Sequence, residues 1–303
     1  MELWLRELRA PFFTATIIPV FLGATVAFED SGNLDIPLLL LTLFATLCLH
    51  AGANMANDYF DYISGCDTHP QYQDFSAPFF GGSRLLPEGL LEPGDVHRAA
   101  ILSIGIGTAA GLYIVWRTGW PILLLGLVGV FTGYLYVTCL APRGLGEVAV
   151  FFSFGPLTVI GSQLVQSGVI SPGGIYASLP VGVFITAVLW INEVPDLDAD
   201  RAAGKTTLVV RLGRSNAVKM FIALLVAGYA SIVVLSLAGI IPACSLISMV
   251  TVPLALRAAV VAWKHRQNPS MMIPANAGTI LVHALTGILL ILSYPLCGFL
   301  FPP

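Results

Sequence analysis

Two short stretches of this 303-residue chain gather acidic side chains beside asparagines. The first reads Asn54-Met-Ala-Asn57-Asp58-Tyr-Phe-Asp61-Tyr-Ile-Ser-Gly65-Cys-Asp67, the second Asn192-Glu193-Val-Pro195-Asp196-Leu-Asp198-Ala-Asp200-Arg201. On a helix turning about 100° per residue, Asn54, Asp58 and Asp61 share one face, and Asn57 stands one turn before Asp61. Gly65 lets the chain turn, so that Asp67 can fold back toward the same place. Asn192, Asp196 and Asp200 recur every fourth residue as a second stripe, while Asp198 points away from it toward solvent. Carboxylates crowded on one face repel and resist ionising unless a cation joins them. An all-oxygen set of Asp and Asn suits hard Mg²⁺, which binds through one or two carboxylates, water and substrate phosphate. Two such stripes facing each other would hold a diphosphate between metal ions and stabilise charge growing on it as it leaves. A solvated, capping helix end is the bland alternative for one stripe; two matched stripes on one side of a membrane argue against it.

The loops that follow add cations. Arg84 lies in Gly81-Gly82-Ser83-Arg84-Leu-Leu-Pro87-Glu-Gly89, and Arg201 and Lys205 lie in Asp200-Arg201-Ala-Ala-Gly204-Lys205-Thr-Thr-Leu-Val-Val-Arg211-Leu-Gly213. Arg could grip diphosphate oxygens by its fork and Lys as a point charge. The excess of basic residues on the cytoplasmic face of membrane proteins would by itself also place them here.

The elements that must position these residues follow from composition. With 56% hydrophobic and only 10% charged residues, the chain has far more apolar side chains than a soluble core needs, and the surplus must face lipid. Its mean hydropathy is +0.85. Runs long enough to cross a bilayer fall near 11–28, 36–60, 97–116, 119–140, 147–168, 173–195, 217–239, 241–263 and 276–300. The sequence therefore predicts an all-α polytopic fold of nine membrane spans forming one domain over 1–303. The two acidic stripes close the second and sixth spans, with loops capping them. Pro195 would kink the sixth span and free backbone groups there. Gly105, Gly107 and Gly111, like Gly126, Gly129 and Gly133, have the spacing that lets helices approach closely. Met1 to Glu7 reads as an interfacial helix ahead of a retained first span. Lys and Arg cluster at the N-terminus and on the connections between the second and third, fourth and fifth, sixth and seventh, and eighth and ninth spans. That bias predicts a cytoplasmic N-terminus, an outer C-terminus and both stripes at the cytoplasmic interface.

Several classes drop out. Net charge −3 offers no basic field for nucleic acid. The five cysteines form no C-x-x-C pair and mostly lie in apolar runs, where Cys packs; the five histidines show no zinc spacing.

These motifs together resemble the UbiA superfamily of intramembrane prenyltransferases, and the likeness covers nearly the whole chain. Asn57, Asp58 and Asp61 look like its N-D-x-x-D, and Asp196 and Asp200 like its D-x-x-x-D. Ser83-Arg84-Leu-Leu-Pro87-Glu-Gly89 is similar to its T-R-P-L-P-S-G. Asn54, the Gly65-x-Asp67 spacing, Asn192 before Asp196 and Gly155-Pro156-Leu157 resemble the menaquinone-pathway branch that prenylates 1,4-dihydroxy-2-naphthoate. Ubiquinone-type members carry an acid where this chain has Gly65, which weakens a 4-hydroxybenzoate assignment. The resemblance implies transfer of an isoprenoid from a prenyl diphosphate, geranyl to long-chain, to an aromatic or lipid acceptor within the bilayer. Asp58, Asp61, Asp196 and Asp200 are then the catalytic acids. Two Mg²⁺ ions would sit on Asn57, Asp61 and Asp67 on one side and on Asn192, Asp196 and Asp200 on the other. Asn54, Arg84, Arg201 and Lys205 would bind substrate. Tyr134 and Tyr136, with Phe151, Phe152 and Phe154, either line the tail's path or merely pack.

Three other functions compete with this reading. A cation transporter would need charges at mid-membrane, and the span centres have almost none. A CDP-alcohol phosphotransferase would show D-G-x-x-A-R, which is absent. Prenylation of a glycerol phosphate headgroup shares the diphosphate chemistry, and only the acceptor separates it.

Overall fold

The structure, a computed structural model, describes residues 2–74 and 81–301. A short helix α1 (Glu2–Glu7) precedes α2 (Ala10–Ser31) and α3 (Ile36–Ile63). After a four-residue α4 (Gln71–Asp74) come α5 (Pro93–Thr118), α6 (Pro121–Arg143) and α7 (Gly146–Ser167). The remainder is α8 (Pro172–Ala202), α9 (Leu208–Leu237), α10 (Ala243–His265) and α11 (Pro269–Leu300). Among the described residues nine of these are long and apolar enough to cross a membrane, and there is no strand.

Local chemistry fixes where the helices begin. Asp35 Oδ1 accepts the Leu38 N–H at 2.9 Å to cap α3, Ser171 Oγ accepts that of Gly174 at 3.4 Å on α8, and Thr207 Oγ1 accepts that of Val210 at 3.2 Å on α9. α3 and α8 also carry a proline in the first turn, where its missing N–H costs nothing.

Burial sorts the spans into a centre and a rim. In its most apolar stretch α8 is 72% buried while α6 is 6% buried, so α8 is the axis and α6 faces outward. Phe184, Ile191, Val194 and Leu197 of α8 pack with Phe221 and Leu225 of α9 and Val282 and Leu290 of α11 in one apolar core. At Gly155, a methyl group would lie 2.7 Å from the Gly182 Cα, so α7 can press onto α8 only because both residues lack one.

The sequence-read ends hold to within a few residues, with three exceptions, one being α11, which starts at Pro269 rather than near 276. α8 runs unbroken through Pro195 to Ala202, so the second stripe sits on the helix rather than after it. α9 starts at Leu208 rather than near 217, and the chain turns inside it at Gly213 (φ 72°, ψ 158°), which no other residue type tolerates easily. The glycine stripes also differ from expectation. Gly107 packs tightly, with a Cβ there 2.8 Å from the Ala45 carbonyl, but Gly111 and Gly126 meet nothing and instead line a cavity.

Candidate active site

The ends of α3 and α8 meet at the mouth of a cavity of about 360 Å³ that runs down between α2, α3, α5, α6, α7 and α8. Lys205 joins them. Its ammonium lies 2.7 Å from Asp61 Oδ1 and 3.1 Å from Asp200 Oδ1, one acid from each stripe. Gly204 (φ 78°) turns the chain back after α8, and the Lys205 N–H donates to the Asp200 carbonyl at 2.9 Å. Burial opposes the lysine's charge, yet the two carboxylates beside it hold its pKa well above the ordinary value.

The remaining acids are each held by a different partner. Asn57 Nδ2 donates to Asp61 Oδ2 at 3.0 Å. Tyr72 donates its phenolic hydroxyl to Asp196 Oδ1 at 2.6 Å, and the Gly81 N–H approaches Asp196 Oδ2 at 3.3 Å. The Cys66 thiol, buried rather than exposed in its loop, donates to Asp200 Oδ1 at 3.3 Å. Asp67 does fold back, and burial together with the Asp61 carboxylate raises its pKa well above the usual range. A Cβ on Gly82 (φ 69°) would stand 2.5 Å from Asp67 Oδ2, so the loop lies directly on these carboxylates.

Pro195 frees a backbone group, as the sequence suggested, although the helix runs on through it with no break where a kink was expected. Without an N–H it leaves the Ile191 carbonyl, four residues back, unpaired in the helix. Asn276 of α11 fills that vacancy, donating Nδ2 to Ile191 O at 3.0 Å and to Asn192 Oδ1 at 2.7 Å. The metal-type oxygen of Asn192 is thereby oriented by a residue 84 positions away.

Asn54, Asn57, Asp61, Asp67, Asn192, Asp196, Asp200, Lys205 and Tyr136 all line the cavity. Four expected residues do not. Asp58 turns toward α1, where its Oδ2 accepts the Ser83 N–H at 2.7 Å and its Oδ1 lies 3.7 Å from Arg9. Arg84, in a left-handed turn (φ 68°), donates to the Asp67 carbonyl and covers the Tyr72 ring at 5.2 Å. Arg201 is exposed and lies 3.9 Å from Asp198, which Arg214 also meets at 3.0 Å. Tyr134 is on the outward face of α6, its ring edge against Phe60 at 6.2 Å. Of the phenylalanines Phe154 lines the cavity, while Phe152 is 56% exposed.

Sequence reasoning passed over the groups that hold the loops. Glu7 Oε2 accepts from Ser83 Oγ at 2.6 Å; Asn54, expected to bind substrate, lines the cavity but spends its Nδ2 on the Leu8 carbonyl at 3.0 Å. Glu147 Oε1 accepts the Leu208 N–H at 2.8 Å, tying the start of α9 to α7. Tyr72 and Asn276 gave no signal, being single polar residues in a loop and an apolar run.

Among the described residues no three His, Cys, Asp or Glu side chains converge as a ready cage for a metal. The donor chemistry nevertheless fits Mg²⁺. Asp61, Asp67, Asp196 and Asp200 bring four carboxyls against the single ammonium of Lys205, all with oxygen donors, and Asn57 and Asn192 add two neutral ones. Magnesium needs only one or two carboxylates from protein when phosphate oxygens complete its shell.

Residues 16–277 match the sequence profile of the UbiA prenyltransferase family. The chain is 28% identical over 281 residues to 1,4-dihydroxy-2-naphthoate octaprenyltransferase of Bacillus subtilis, covering 91% of this chain and 87% of that one. It is 30% identical over 215 residues to UbiA prenyltransferase domain-containing protein 1 of Xenopus tropicalis, over 69% of this chain. That match spans 59% of the frog protein's length. A UbiA homolog from Archaeoglobus fulgidus, solved bound to DMAPP and Mg²⁺, shares the fold with a TM-score of 0.59 at 13% identity, over 95% of this chain and 98% of that one.

Proposed function

The chain belongs to the UbiA prenyltransferase family, and from that premise we propose that it transfers an isoprenoid from a prenyl diphosphate to 1,4-dihydroxy-2-naphthoate inside the membrane. The observation that carries this reading is the meeting of Asp61 and Asp200 on Lys205 at the mouth of an apolar cavity. A polar, oxygen-rich mouth over a hydrocarbon-lined interior matches an amphiphile with a diphosphate head and an isoprenoid tail.

Asn57, Asp61 and Asp67 would hold one Mg²⁺, and Asn192, Asp196 and Asp200 the other. Bound there, the ions supply charge neutralisation for the diphosphate as it leaves. The chain's own residues do the rest. Lys205 stands where it can pass from the carboxylates to a diphosphate oxygen. The Gly81–Ser83 loop and the Gly204–Thr207 turn exclude water from above. The allylic C–O bond breaks with its electron pair leaving on diphosphate, and a new C–C bond forms to the electron-rich ring. The attacked ring carbon regains aromaticity by releasing its proton, or carbon dioxide where it carries the carboxylate. Asp58, Arg84 and Arg201 act at one remove, by holding loops. The Lys and Arg distribution supports a cytoplasmic N-terminus and a cytoplasmic mouth.

Purified protein with Mg²⁺, labelled prenyl diphosphates and a panel of naphthoate, phenol and glycerol phosphate acceptors, followed by lipid mass analysis, tests this. Prenylated naphthoate is the expected product. A prenyl ether of glycerol phosphate with untouched naphthoate would move the chain to ether-lipid synthesis and leave the diphosphate half of the reading standing.

A further inference from the structure

The cavity below the acids has two walls of unlike chemistry. On the α5–α6 side it is lined by glycines, among them Gly111 and Gly126, and by aliphatic side chains. The hydroxyls on the neighbouring faces are spent on their own backbone: Thr42 Oγ1 donates to the Leu38 carbonyl at 2.8 Å and Thr158 Oγ1 to that of Ser153 at 2.6 Å. Thr132 Oγ1 of α6 likewise donates to the Val128 carbonyl at 2.7 Å, so these threonines keep no unspent hydroxyl proton and that wall offers mostly hydrocarbon, which suits an isoprenoid tail. On the α2–α8 side the lining holds His50, a polar residue in an otherwise apolar stretch of α3.

His50 is buried and fixed. Its Nδ1 pairs with Thr16 Oγ1 of α2 at 2.7 Å. The ring is flanked by Phe13 at 5.4 Å and Phe154 at 4.8 Å. The other nitrogen, Nε2, has no hydrogen-bond partner among the described residues, and it is not among the atoms sealed off within the protein. Left against an isoprenoid, that nitrogen would cost about 1–3 kcal/mol as an unmet hydrogen-bonding group. The occupant beside it should therefore carry a polar group of its own. His50 also stands on the Asn54, Asn57 and Asp61 face of α3, seven residues or about 10 Å of helix below Asn57. That distance is a diphosphate's reach plus the width of an aromatic ring.

We infer that His50, oriented by Thr16 and walled by Phe13 and Phe154, binds a ring hydroxyl of the aromatic acceptor and so selects hydroxylated rings. This rests on the function proposed above and names the contact by which that site tells one acceptor from another. The two walls then divide the cavity between donor and acceptor, with the tail along the glycines and the ring against α2.

The test uses the whole detergent-solubilised protein with Mg²⁺, a prenyl diphosphate and two acceptors, 1,4-dihydroxy-2-naphthoate and the same ring with one hydroxyl methylated. The pair His50→Phe with Thr16→Val keeps a ring and strands no hydroxyl. It should raise KM for the dihydroxy acceptor about tenfold, about 1.4 kcal/mol, leave KM for the prenyl diphosphate unchanged, and abolish the parent's preference over the methyl ether. His50→Gln, whose amide reaches the place of Nε2, should keep that preference and stay within about threefold of the parent KM. Parental KM and preference in the double variant, or an equal loss in His50→Gln, overturns the inference alone. A rise in KM for the prenyl diphosphate instead overturns it too, by giving His50 to the tail. If the parent turns over no aromatic acceptor at all, the proposed function falls and this inference falls with it.

Discussion

Replacing Lys205 with Met should separate the two acidic stripes. The ammonium sits 2.7 Å from Asp61 and 3.1 Å from Asp200. At an effective dielectric near 20 those attractions amount to about 6 and about 5 kcal/mol. Holding a lysine out of water gives back several kcal/mol, so the pair sum is a gross figure. The measurable effect is the state left behind, two buried carboxylates without a cation, which costs about 3–5 kcal/mol. At about 2 °C per kcal/mol for a chain of this size, Lys205→Met should melt about 6–10 °C below the parent in chelator. Mg²⁺ should then restore more stability to the variant than it adds to the parent, because the variant's carboxylates have lost their competing cation. At a hundredfold excess over Kd the restoration is about 2.7 kcal/mol. Melting followed by intrinsic fluorescence, with chelator and with graded Mg²⁺, reads both effects. A variant that melts with the parent in chelator would refute the reasoning, since it would mean that the bridge carries no net energy.

Asp61→Asn and Asp196→Asn should each remove turnover while the protein stays folded in detergent, read by product mass and by size-exclusion profile; full turnover in either variant would reduce its stripe to a solvated helix end. Excess chelator should stop product formation and Mg²⁺ should restore it. Burial, then the neighbouring Asp58 charge, raises the Glu7 carboxyl to about 7, so its contribution to stability is full below about 4.5 and is lost as pH rises through 7. Glu7→Gln should remove that fall, worth about 3 kcal/mol, and melting curves between pH 5 and 8 in parent and variant check the slope. For orientation, Asn33→Cys should react with an impermeant maleimide from outside and Gln267→Cys from the cytoplasm, both positions being exposed. The reverse pattern would put the acids on the outer face.

How much of this was legible in the sequence depends on the range of the interaction. Spans were readable because lipid demands about 20 apolar residues at a stretch, a purely local signal. The stripe of Asn192, Asp196 and Asp200 was readable from helical period, and Asp67 from the turn that Gly65 permits. Asp58 was misplaced because its period matches Asn54 and Asp61, and only the tertiary pull of Arg9 and the Ser83 N–H turns it aside. Arg84 and Lys205 looked alike as loop cations, yet one braces a loop and the other enters the cavity. What separates them is backbone: a left-handed turn at Arg84 itself, and a return toward Asp200 at Lys205. Asn276 and His50 were invisible, since a lone polar residue in an apolar run has no pattern to read.

The exchange between Pro195 and Asn276 restricts the order in which this protein can change. The asparagine amide satisfies a carbonyl that is open only because position 195 has no N–H. Losing Asn276 first strands that carbonyl in the core and costs about 1–3 kcal/mol. Losing Pro195 first restores the helical bond, after which position 276 keeps only its contact with Asn192. The two positions, on the sixth and ninth spans, are thus one heritable unit with a favoured direction of drift: proline must yield before asparagine can.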